Sequence, residues 1–281
     1  MKMPDEIVAL DARARRFETP CGEGTMVWRS WGEGPAVVLL HGGYGGWPHW
    51  IRNIDYLAKK RRVLVPDMPG HGESAPPPKP YDANSIGTII ADGARTLVPD
   101  PEKIQVVGFS FGGLIAGYVA RALGDRARSF TGVSPAGLGA RRGVNLKELV
   151  EWKGLEPDKI LEIHRSNLAN IMFSDNGVVD DTALYIQATY VPLGRVRVLL
   201  IVRTPALKEI LPDLKMPLDA IWGEFDRAAW PYLPERQEII RQACPDADTV
   251  LVPGAGHWSA YEATEIFNLL LERLLDKRLE D

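Results

Sequence analysis

The stretch Lys103–Leu123, KIQVVGFSFGGLIAGYVARAL, decides the fold of this chain. Its first part is a continuous apolar run, which is typical of a strand that is buried on both faces of a parallel sheet. From Phe111 onward, apolar residues recur at helical spacing. Between the two parts, Gly108–Gly112 (GFSFG) fits the pattern G-x-S-x-G. The stretch therefore predicts a strand, a sharp turn that carries Ser110, and a helix.

Ser110 is a candidate nucleophile because of this local context. A sharp turn between a strand and a helix points the hydroxyl away from the sheet, and flanking glycines allow strained backbone and close approach. The N–H groups at the start of the helix favour negative charge beside the serine. A chance match to so short a motif is the alternative interpretation. The buried strand before the motif and the helix after it favour the functional one.

A serine hydroxyl needs a base, and the base needs a carboxylate that fixes its tautomer. His257 lies in the loop Gly254–Trp258 (GAGHW), directly after the last predicted strand. Asp226 follows the preceding predicted strand, so both side chains are expected at the carboxyl edge of the sheet. Glu224 is closer to its strand end but is expected on the wrong side of the turn. A solvated loop histidine and a turn or capping aspartate are the structural alternatives.

Attack on a carbonyl also requires N–H donors for the oxyanion, each of which lowers the barrier by about 3 kcal/mol. The N–H of Phe111, directly after the serine, is one candidate. The glycine-rich segment His41–Gly46 (HGGYGG) supplies the other, with Gly43 as the preferred donor and Gly42 as the reserve. This segment lacks the G-K-[ST] ending of a P-loop and does not match G-x-G-x-x-G, which disfavours a nucleotide site.

The remaining chain alternates strands with helices, which predicts an α/β fold with a mainly parallel sheet. Predicted strands are Arg16–Thr19, Thr25–Trp31, Val37–Leu40, Val63–Val65, Lys103–Phe109, Ser129–Ser134, Leu218–Trp222 and Thr249–Val252. Predicted helices cover Trp47–Ala58, Ile86–Leu97, Phe111–Leu123, Ile160–Met172, Asp181–Tyr190, Leu233–Ala243 and a long segment from about Ala260. The alternation is interrupted between 135 and 212. We therefore predict a core domain over 1–134 and 213–281, with a helical cap over 135–212.

Composition excludes several classes of protein. With 281 residues, 45% hydrophobic and 25% charged, the chain suits one large globular domain. The formal net charge of -4 gives no sign of a nucleic-acid partner. Cys21 and Cys244 form neither a metal-binding spacing nor a disulfide framework. Because no apolar run is long enough for a signal peptide or a membrane span, we expect a soluble cytoplasmic protein. The sequence leaves homo-oligomerisation open.

These stretches together resemble the α/β-hydrolase superfamily over nearly the whole chain. The matching segments are Leu40–Gly43, Asp67–Ser74, Gly108–Gly113, Trp222–Asp226 and Gly256–Trp258. The order Ser110, Asp226, His257 is the order of the catalytic triad in that superfamily. The resemblance implies an eight-stranded, mostly parallel sheet with helices on both faces, a helical cap insertion, no metal or other cofactor, and catalysis through an acyl-enzyme or a related route.

The substrate stays open at this stage. A small-molecule carboxylic ester that is largely apolar, or a related carbonyl compound such as a lactone, is the first expectation. The glycine-rich loop, Trp50–Asn53 and Gly256–Trp258 also resemble carbon–carbon bond hydrolases that act on dienone-type ring-fission products. Those enzymes usually carry asparagine before the nucleophile, where this chain has Phe109. A ligand-binding receptor with low turnover is a third interpretation.

Other polar and aromatic residues are secondary candidates. Trp258, Phe109 and Arg203 are the candidate substrate-binding residues. Arg203, with Arg195 and Arg197, could bind a substrate carboxylate, although a solvated arginine is the commoner case. Trp47, His49 and Trp50 are candidates for a pocket wall, but tryptophans near a core usually pack. His41 and His71 are expected to brace loops beneath the site, and His164 is expected to pack in the cap.

Overall fold

The computed structural model describes residues 1–143, 150–174 and 179–280. Eight strands are found there: β1 (Arg15–Cys21), β2 (Gly24–Trp31), β3 (Ala36–Leu40), β4 (Arg62–Pro66), β5 (Ile104–Phe109), β6 (Ala127–Val133), β7 (Leu218–Gly223) and β8 (Thr249–Val252). They form one sheet in the order β1-β2-β4-β3-β5-β6-β7-β8. β2 pairs antiparallel with β1 and β4, and the other pairs are parallel. The predicted α/β-hydrolase fold with a mostly parallel eight-stranded sheet is confirmed.

Helices connect the strands: α1 (Asp5–Asp11), α2 (Ile54–Leu57), α3 (Ala83–Leu97), α4 (Phe111–Leu123), α5 (Pro157–Ile171), α6 (Asp181–Tyr190), α7 (Val198–Val202), α8 (Ala206–Ile210), α9 (Leu233–Ala243), α10 (Ser259–Glu262) and α11 (Thr264–Glu280). Alternate residues of a strand point to opposite faces of the sheet. In β3, Val38 and Leu40 pack with α3 and α4, whereas Val37 and Leu39 pack with α11. This alternation explains the apolar run, because both faces of the strand are covered.

The structure differs from the predicted helices near the start of the fold. The predicted helix over Trp47–Ala58 consists of a 3-10 helix, Trp47–Trp50, followed by the short α2. The backbone between them makes i to i+3 bonds, such as Asn53 N–H to the Trp50 carbonyl at 2.9 Å. The amide of Asn53 donates to the Ala260 carbonyl at 2.9 Å, which ties this break to the end of the chain. Hydrophobic spacing cannot predict such a polar anchor.

The helices differ from the prediction in two further places. The long C-terminal helix is divided at Ala263 into α10 and α11, because Ala263 leaves the helical conformation (φ -122°, ψ 53°). The short α1 was not predicted; its buried residues, Ile7 and Leu10, are too few to give a strong helical pattern. Neither difference affects the order of the strands.

Helices α5 to α8 all lie between β6 and β7. α5 packs on α6, whereas α7 and α8 pack on α4 of the sheet region. The division of the chain into a core and a cap over 135–212 stays a prediction. No helix among the described residues is long and apolar enough to cross a membrane.

Candidate active site

Ser110 lies at the sharp turn between β5 and α4 and adopts positive φ (φ 54°, ψ -114°). Its N–H donates to the Val133 carbonyl at 2.8 Å, which fixes the turn to the neighbouring strand β6. A Cβ atom at Gly108 would lie 2.1 Å from the Gly112 carbonyl oxygen, and one at Gly112 would lie 2.3 Å from the His41 carbonyl oxygen. The two glycines of the motif are therefore required by close backbone approach.

The structure brings Ser110, His257 and Asp226 together although they are far apart in sequence. His257 Nε2 lies 3.0 Å from Ser110 Oγ, and His257 Nδ1 lies 2.8 Å from Asp226 Oδ1. With Asp226 accepting from Nδ1–H, Nε2 is free to accept the serine proton. The three residues follow β5, β8 and β7, so they meet because adjacent parallel strands end at the same edge.

The carboxylate of Asp226 stays ionised although only 1% of the residue is exposed. Burial would raise its pKa, but the charge of His257 and the hydrogen bonds from His257 and the Ala228 N–H outweigh burial and lower it. The Ala228 N–H bond to Asp226 Oδ1 measures 2.9 Å. An ionised carboxylate at this position can stabilise a histidine cation.

Arg236, which the sequence analysis did not single out, holds the loop that carries Asp226. Its guanidinium donates to the carbonyls of Ala228 at 3.1 Å and Tyr232 at 3.4 Å. Because the N–H of Ala228 donates to Asp226, the arginine holds the carbonyl of the same residue whose N–H binds the carboxylate. No sequence signal marks Arg236, since arginines are common on amphipathic helices.

Glu224, the rival acid, lies away from the histidine. Its Oε2 accepts the Gly254 N–H at 2.9 Å, and its own N–H donates to the Val252 carbonyl at 3.0 Å. These bonds close the loops after β7 and β8 against each other. Glu224 thus supports the backbone around the site without contacting the imidazole of His257.

Gly43 and Phe111, the preferred oxyanion donors, lie beside each other, and Phe111 directly follows Ser110. A Cβ atom at Gly43 would lie 3.4 Å from the Phe111 Cβ. Neither N–H has an acceptor within the described part of the chain, so both are free to bind an oxyanion. The structure corrects the reserve choice, Gly42, because its N–H donates to His49 Nδ1 at 3.1 Å.

Three buried histidines form the floor beneath the glycine-rich loop. Burial lowers the pKa of His49 to about 3 and that of His71 to about 4, and it lowers the pKa of His41 as well. His41 donates from Nδ1 to the Gly42 carbonyl at 2.8 Å and accepts the Met68 N–H at Nε2, 2.9 Å away. These neutral rings brace the loops, as the sequence suggested for His41 and His71.

A cavity of about 730 Å³ opens over Ser110 and His257. Phe109 and Arg203, two of the candidate substrate-binding residues, line it. The prediction that Trp258, the third candidate, binds substrate is wrong. Its Nε1–H donates to the His49 carbonyl at 2.9 Å, and its ring stacks on Tyr261 at 4.3 Å. With 1% of its surface exposed, Trp258 packs in the core, as aromatic rings near a sheet usually do.

The cavity wall also contains residues that the sequence analysis assigned to packing or did not consider. His164, on α5, lines the cavity, as do the cations Arg142, Lys153 and Arg236. Only the folded arrangement reveals this, because the four residues belong to separate segments. Within residues 1–143, 150–174 and 179–280, no group of three or more His, Cys, Asp or Glu is arranged to hold a metal ion.

Comparison with known sequences identifies the family of the chain. Residues 37–268 match the sequence profile of the alpha/beta hydrolase family. A 2-hydroxy-6-oxo-6-phenylhexa-2,4-dienoate hydrolase of Burkholderia cepacia is 27% identical over 267 residues, which cover 85% of this chain and 87% of the relative. A pimeloyl-acyl-carrier-protein methyl ester esterase of Vibrio campbellii is 27% identical over 222 residues, covering 71% of this chain and 79% of the relative.

Solved structures agree at the level of the fold. The enol-lactonase of Burkholderia xenovorans LB400 matches with a TM-score of 0.74 at 21% identity, over 92% of this chain and 100% of that one. The naproxen esterase of Bacillus subtilis matches with a TM-score of 0.77 at 19% identity, over 96% and 94% of the two chains. At these identities the likeness concerns the arrangement of strands and helices.

Proposed function

Because this chain belongs to the alpha/beta hydrolase family and is a hydrolase, we propose that it cleaves a small, largely apolar carboxylic ester or related carbonyl compound with Ser110 as nucleophile. The observation that carries the proposal is the continuous hydrogen-bonded chain from Ser110 Oγ through His257 to Asp226, with distances of 3.0 and 2.8 Å. Nucleophile, base and orienting acid are the groups that acyl transfer requires.

The first half of the reaction forms an acyl-enzyme. Ser110 Oγ attacks the carbonyl carbon while its proton moves to His257 Nε2. The resulting imidazolium is stabilised by the buried carboxylate of Asp226. The tetrahedral intermediate then collapses, and the imidazolium returns its proton to the departing alkoxide, so that an alcohol leaves and an ester bond joins the acyl group to Ser110.

The second half of the reaction hydrolyses the acyl-enzyme. Water gives a proton to His257 Nε2 and attacks the acyl carbon, and Ser110 Oγ leaves with the proton that the histidine returns. In both halves the oxyanion accepts hydrogen bonds from the Gly43 and Phe111 N–H groups. Their lack of other acceptors among the described residues supports this assignment.

Replacing Ser110 with alanine tests the proposal. We expect Ser110→Ala to lose turnover of p-nitrophenyl butyrate by a factor on the order of 10⁴ or more, because the nucleophile is absent. Ser166→Ala is the matched control, since Ser166 is exposed on α5. Labelling by a fluorophosphonate should follow the same pattern. Full activity in Ser110→Ala would exclude this function, and labelling without turnover of any carbonyl substrate would favour a binding protein instead.

Carbon–carbon bond hydrolysis is the second candidate, and a specific observation favours it. The relative from Burkholderia cepacia is a dienoate hydrolase by name and aligns over most of both chains. In that reaction the departing group is a carbon that must receive a proton, which the same histidine could deliver. Loss of the dienolate absorbance of a 2-hydroxy-6-oxo-dienoate on mixing with the enzyme would support this candidate, and a stable spectrum would exclude it.

A further inference from the structure

The described residues that line the cavity over Ser110 carry a net positive charge, although the chain as a whole is acidic. They include four cations, Arg142, Lys153, Arg203 and Arg236, and two carboxylates, Glu151 and Asp226. The formal net charge of the chain is -4. Because a water-poor cleft with walls of low dielectric strengthens the field of its charges, this excess favours a negatively charged ligand.

Of the four cavity cations, Arg236 is buried, whereas Arg142, Lys153 and Arg203 are exposed. Other buried arginines form ion pairs. Arg29 is paired with Asp11 and Glu73, and Arg61 is paired with Asp276. Across the described ranges, by contrast, no carboxylate forms an ion pair with any of the four cavity cations. Arg236 therefore lacks the carboxylate partner that the buried Arg29 and Arg61 have, and the three exposed cations add a positive potential that attracts an anionic ligand.

The pKa of Arg236 is subject to opposing electrostatic effects from its neighbours. Only 8% of its surface is exposed, and its guanidinium donates to backbone carbonyls. Burial lowers its pKa, the charges of Asp226 and Glu235 raise it, and the like charge of Arg142 lowers it by a smaller amount. An anion between or near such groups would relieve this repulsion. The interaction with Asp226 acts in the opposite direction but is shared with His257.

His164 is an independent observation that points to the same conclusion. Its side chain lines the cavity, 1% of the residue is exposed, and its ring packs against Trp152 at 5.1 Å. Neither ring nitrogen has a hydrogen-bond partner in the described part of the chain. Buried polar side chains are nearly always partnered, so this imidazole indicates a partner that the described residues do not supply.

We propose that the substrate is a carbonyl compound with a carboxylate at its other end, and that His164 hydrogen-bonds this carboxylate within the positive potential of the cavity cations. The apolar walls, which include Leu168, Ile171 and Val198, accommodate the chain between the two groups. This inference rests on the proposed function and narrows its substrate class from apolar esters to half-esters of dicarboxylic acids and molecules of like charge.

Matched pairs of methyl esters test the inference. Monomethyl adipate and methyl hexanoate have the same number of carbons between the ester and the chain end, and they differ in a terminal carboxylate against a methyl group. Monomethyl succinate, glutarate, pimelate and suberate, each with its own methyl alkanoate, extend the series. We expect kcat/KM, measured by acid release in a pH-stat, to favour the half-ester at one chain length by about tenfold or more.

Variants of the cavity wall assign the preference to residues. His164→Phe keeps the aromatic packing with Trp152 but removes both nitrogens, so it should reduce the ratio of kcat/KM for monomethyl adipate to kcat/KM for methyl hexanoate about tenfold. Arg203→Met should reduce it to a smaller extent. Lys159→Met, which removes an exposed cation from α5 outside the cavity lining, is the control. A general folding defect would lower both rates together and leave the ratio unchanged.

Binding to the inactive variant separates the two proposals. Titration of Ser110→Ala with monomethyl adipate and with methyl hexanoate, followed by calorimetry, measures recognition without turnover. If the wild-type chain hydrolyses no ester but the variant still binds half-esters selectively, the proposed function fails and the anion site stands. Equal rates and equal binding for both members of every pair, with no effect of His164→Phe, would overturn the inference.

Discussion

The carboxyl edge of the sheet and the helical region between β6 and β7 face the same cavity. They differ in whether their polar side chains have hydrogen-bond partners. At the edge, Ser110 N–H is bonded to Val133, and His257 is bonded on both ring nitrogens. In the helical region, both ring nitrogens of His164 lack partners among the described residues. Ser110 and His257 therefore have hydrogen-bond partners without a ligand, whereas His164 does not.

This difference indicates that the edge of the sheet serves catalysis and that the helical region serves substrate selectivity. A preorganised triad needs fixed partners, because a displacement of about 1 Å can reduce a rate by a factor on the order of 100. A binding residue instead needs an unused donor, although an unsatisfied buried group costs about 1–3 kcal/mol. We therefore expect changes at the edge to alter the rate for every substrate, and changes in the helical region to alter the ranking of substrates.

Asp226→Asn gives the largest expected effect. An amide donates where the carboxylate accepts and leaves the imidazole in the wrong tautomer, which lowers kcat by a factor on the order of 10⁴ in a serine triad. Steady-state rates with p-nitrophenyl butyrate measure this loss. Glu224→Gln, two residues earlier, is the control and should retain activity within about tenfold. Equal losses in the two variants would contradict the assignment of the acid.

We expect the folded chain to lose stability at acidic pH because of the buried histidines near the edge of the sheet. The pKa of His49 is lowered to about 3 and that of His71 to about 4, whereas an unfolded histidine titrates near pH 6.5. Between these values the unfolded chain binds protons that the folded chain does not, so stability falls as the pH falls from about 6.5 to 4. Each of these histidines should contribute about 3 kcal/mol of this loss.

Urea unfolding at pH 7 and at pH 4 measures the change. His71→Gln removes one of the titrating groups, so its free energy of unfolding should fall less between the two pH values than that of the wild-type chain. A free energy of unfolding that does not depend on pH over this range would show that the imidazoles are protonated in the folded state.

The third prediction compares two glycines outside the helical region. Gly108→Ala places a Cβ atom 2.1 Å from the Gly112 carbonyl oxygen and should destabilise the fold by about 3 kcal/mol. Gly124→Ala meets nothing within 4 Å and carries only the cost of positive φ (59°), about 1 kcal/mol. Chemical denaturation of both variants gives the difference. A smaller loss in Gly108→Ala than in Gly124→Ala would contradict the close packing of the nucleophile turn.

The candidate residues at the carboxyl edge of the sheet could be predicted from the sequence better than the residues of the cavity wall, and the reason is physical. Strands β5, β7 and β8 are short, and each ends in a loop that carries one candidate residue, so the order of strands alone brings Ser110, Asp226 and His257 to one edge. Backbone hydrogen bonds between parallel strands enforce that geometry. The choice of Gly42 as a reserve donor was wrong because the His49 contact joins segments that the sequence pattern does not relate.

The wall could not be predicted because its residues share no periodicity. Arg142, His164 and Arg203 belong to three segments whose mutual position depends on how helices pack, and tertiary packing leaves no mark in any one segment. Trp258 shows the opposite error. Its place beside His257 favoured a role in binding, whereas its indole N–H donates to a carbonyl inside the core.

Arg236 belongs to both regions, because it lines the cavity and also donates hydrogen bonds to the loop that carries Asp226. If its main role is to fix the Ala228 and Tyr232 carbonyls, Arg236→Met should lower kcat about tenfold for charged and neutral esters alike, with little change in KM. If it acts mainly as an anion ligand, KM should rise for half-esters alone.

Arg241→Met on the same helix is the control, since Arg241 is exposed and bonds to Thr249. Arg236→Lys adds a further measurement, because lysine keeps the charge but cannot span several carbonyls with a planar group. We expect the lysine variant to resemble the methionine variant in kcat, and the pH profile of kcat should be altered in the same limb in both variants. Recovery of kcat with lysine would instead assign the effect to charge, and the edge would then depend on the electrostatics of the cavity as well as on its backbone.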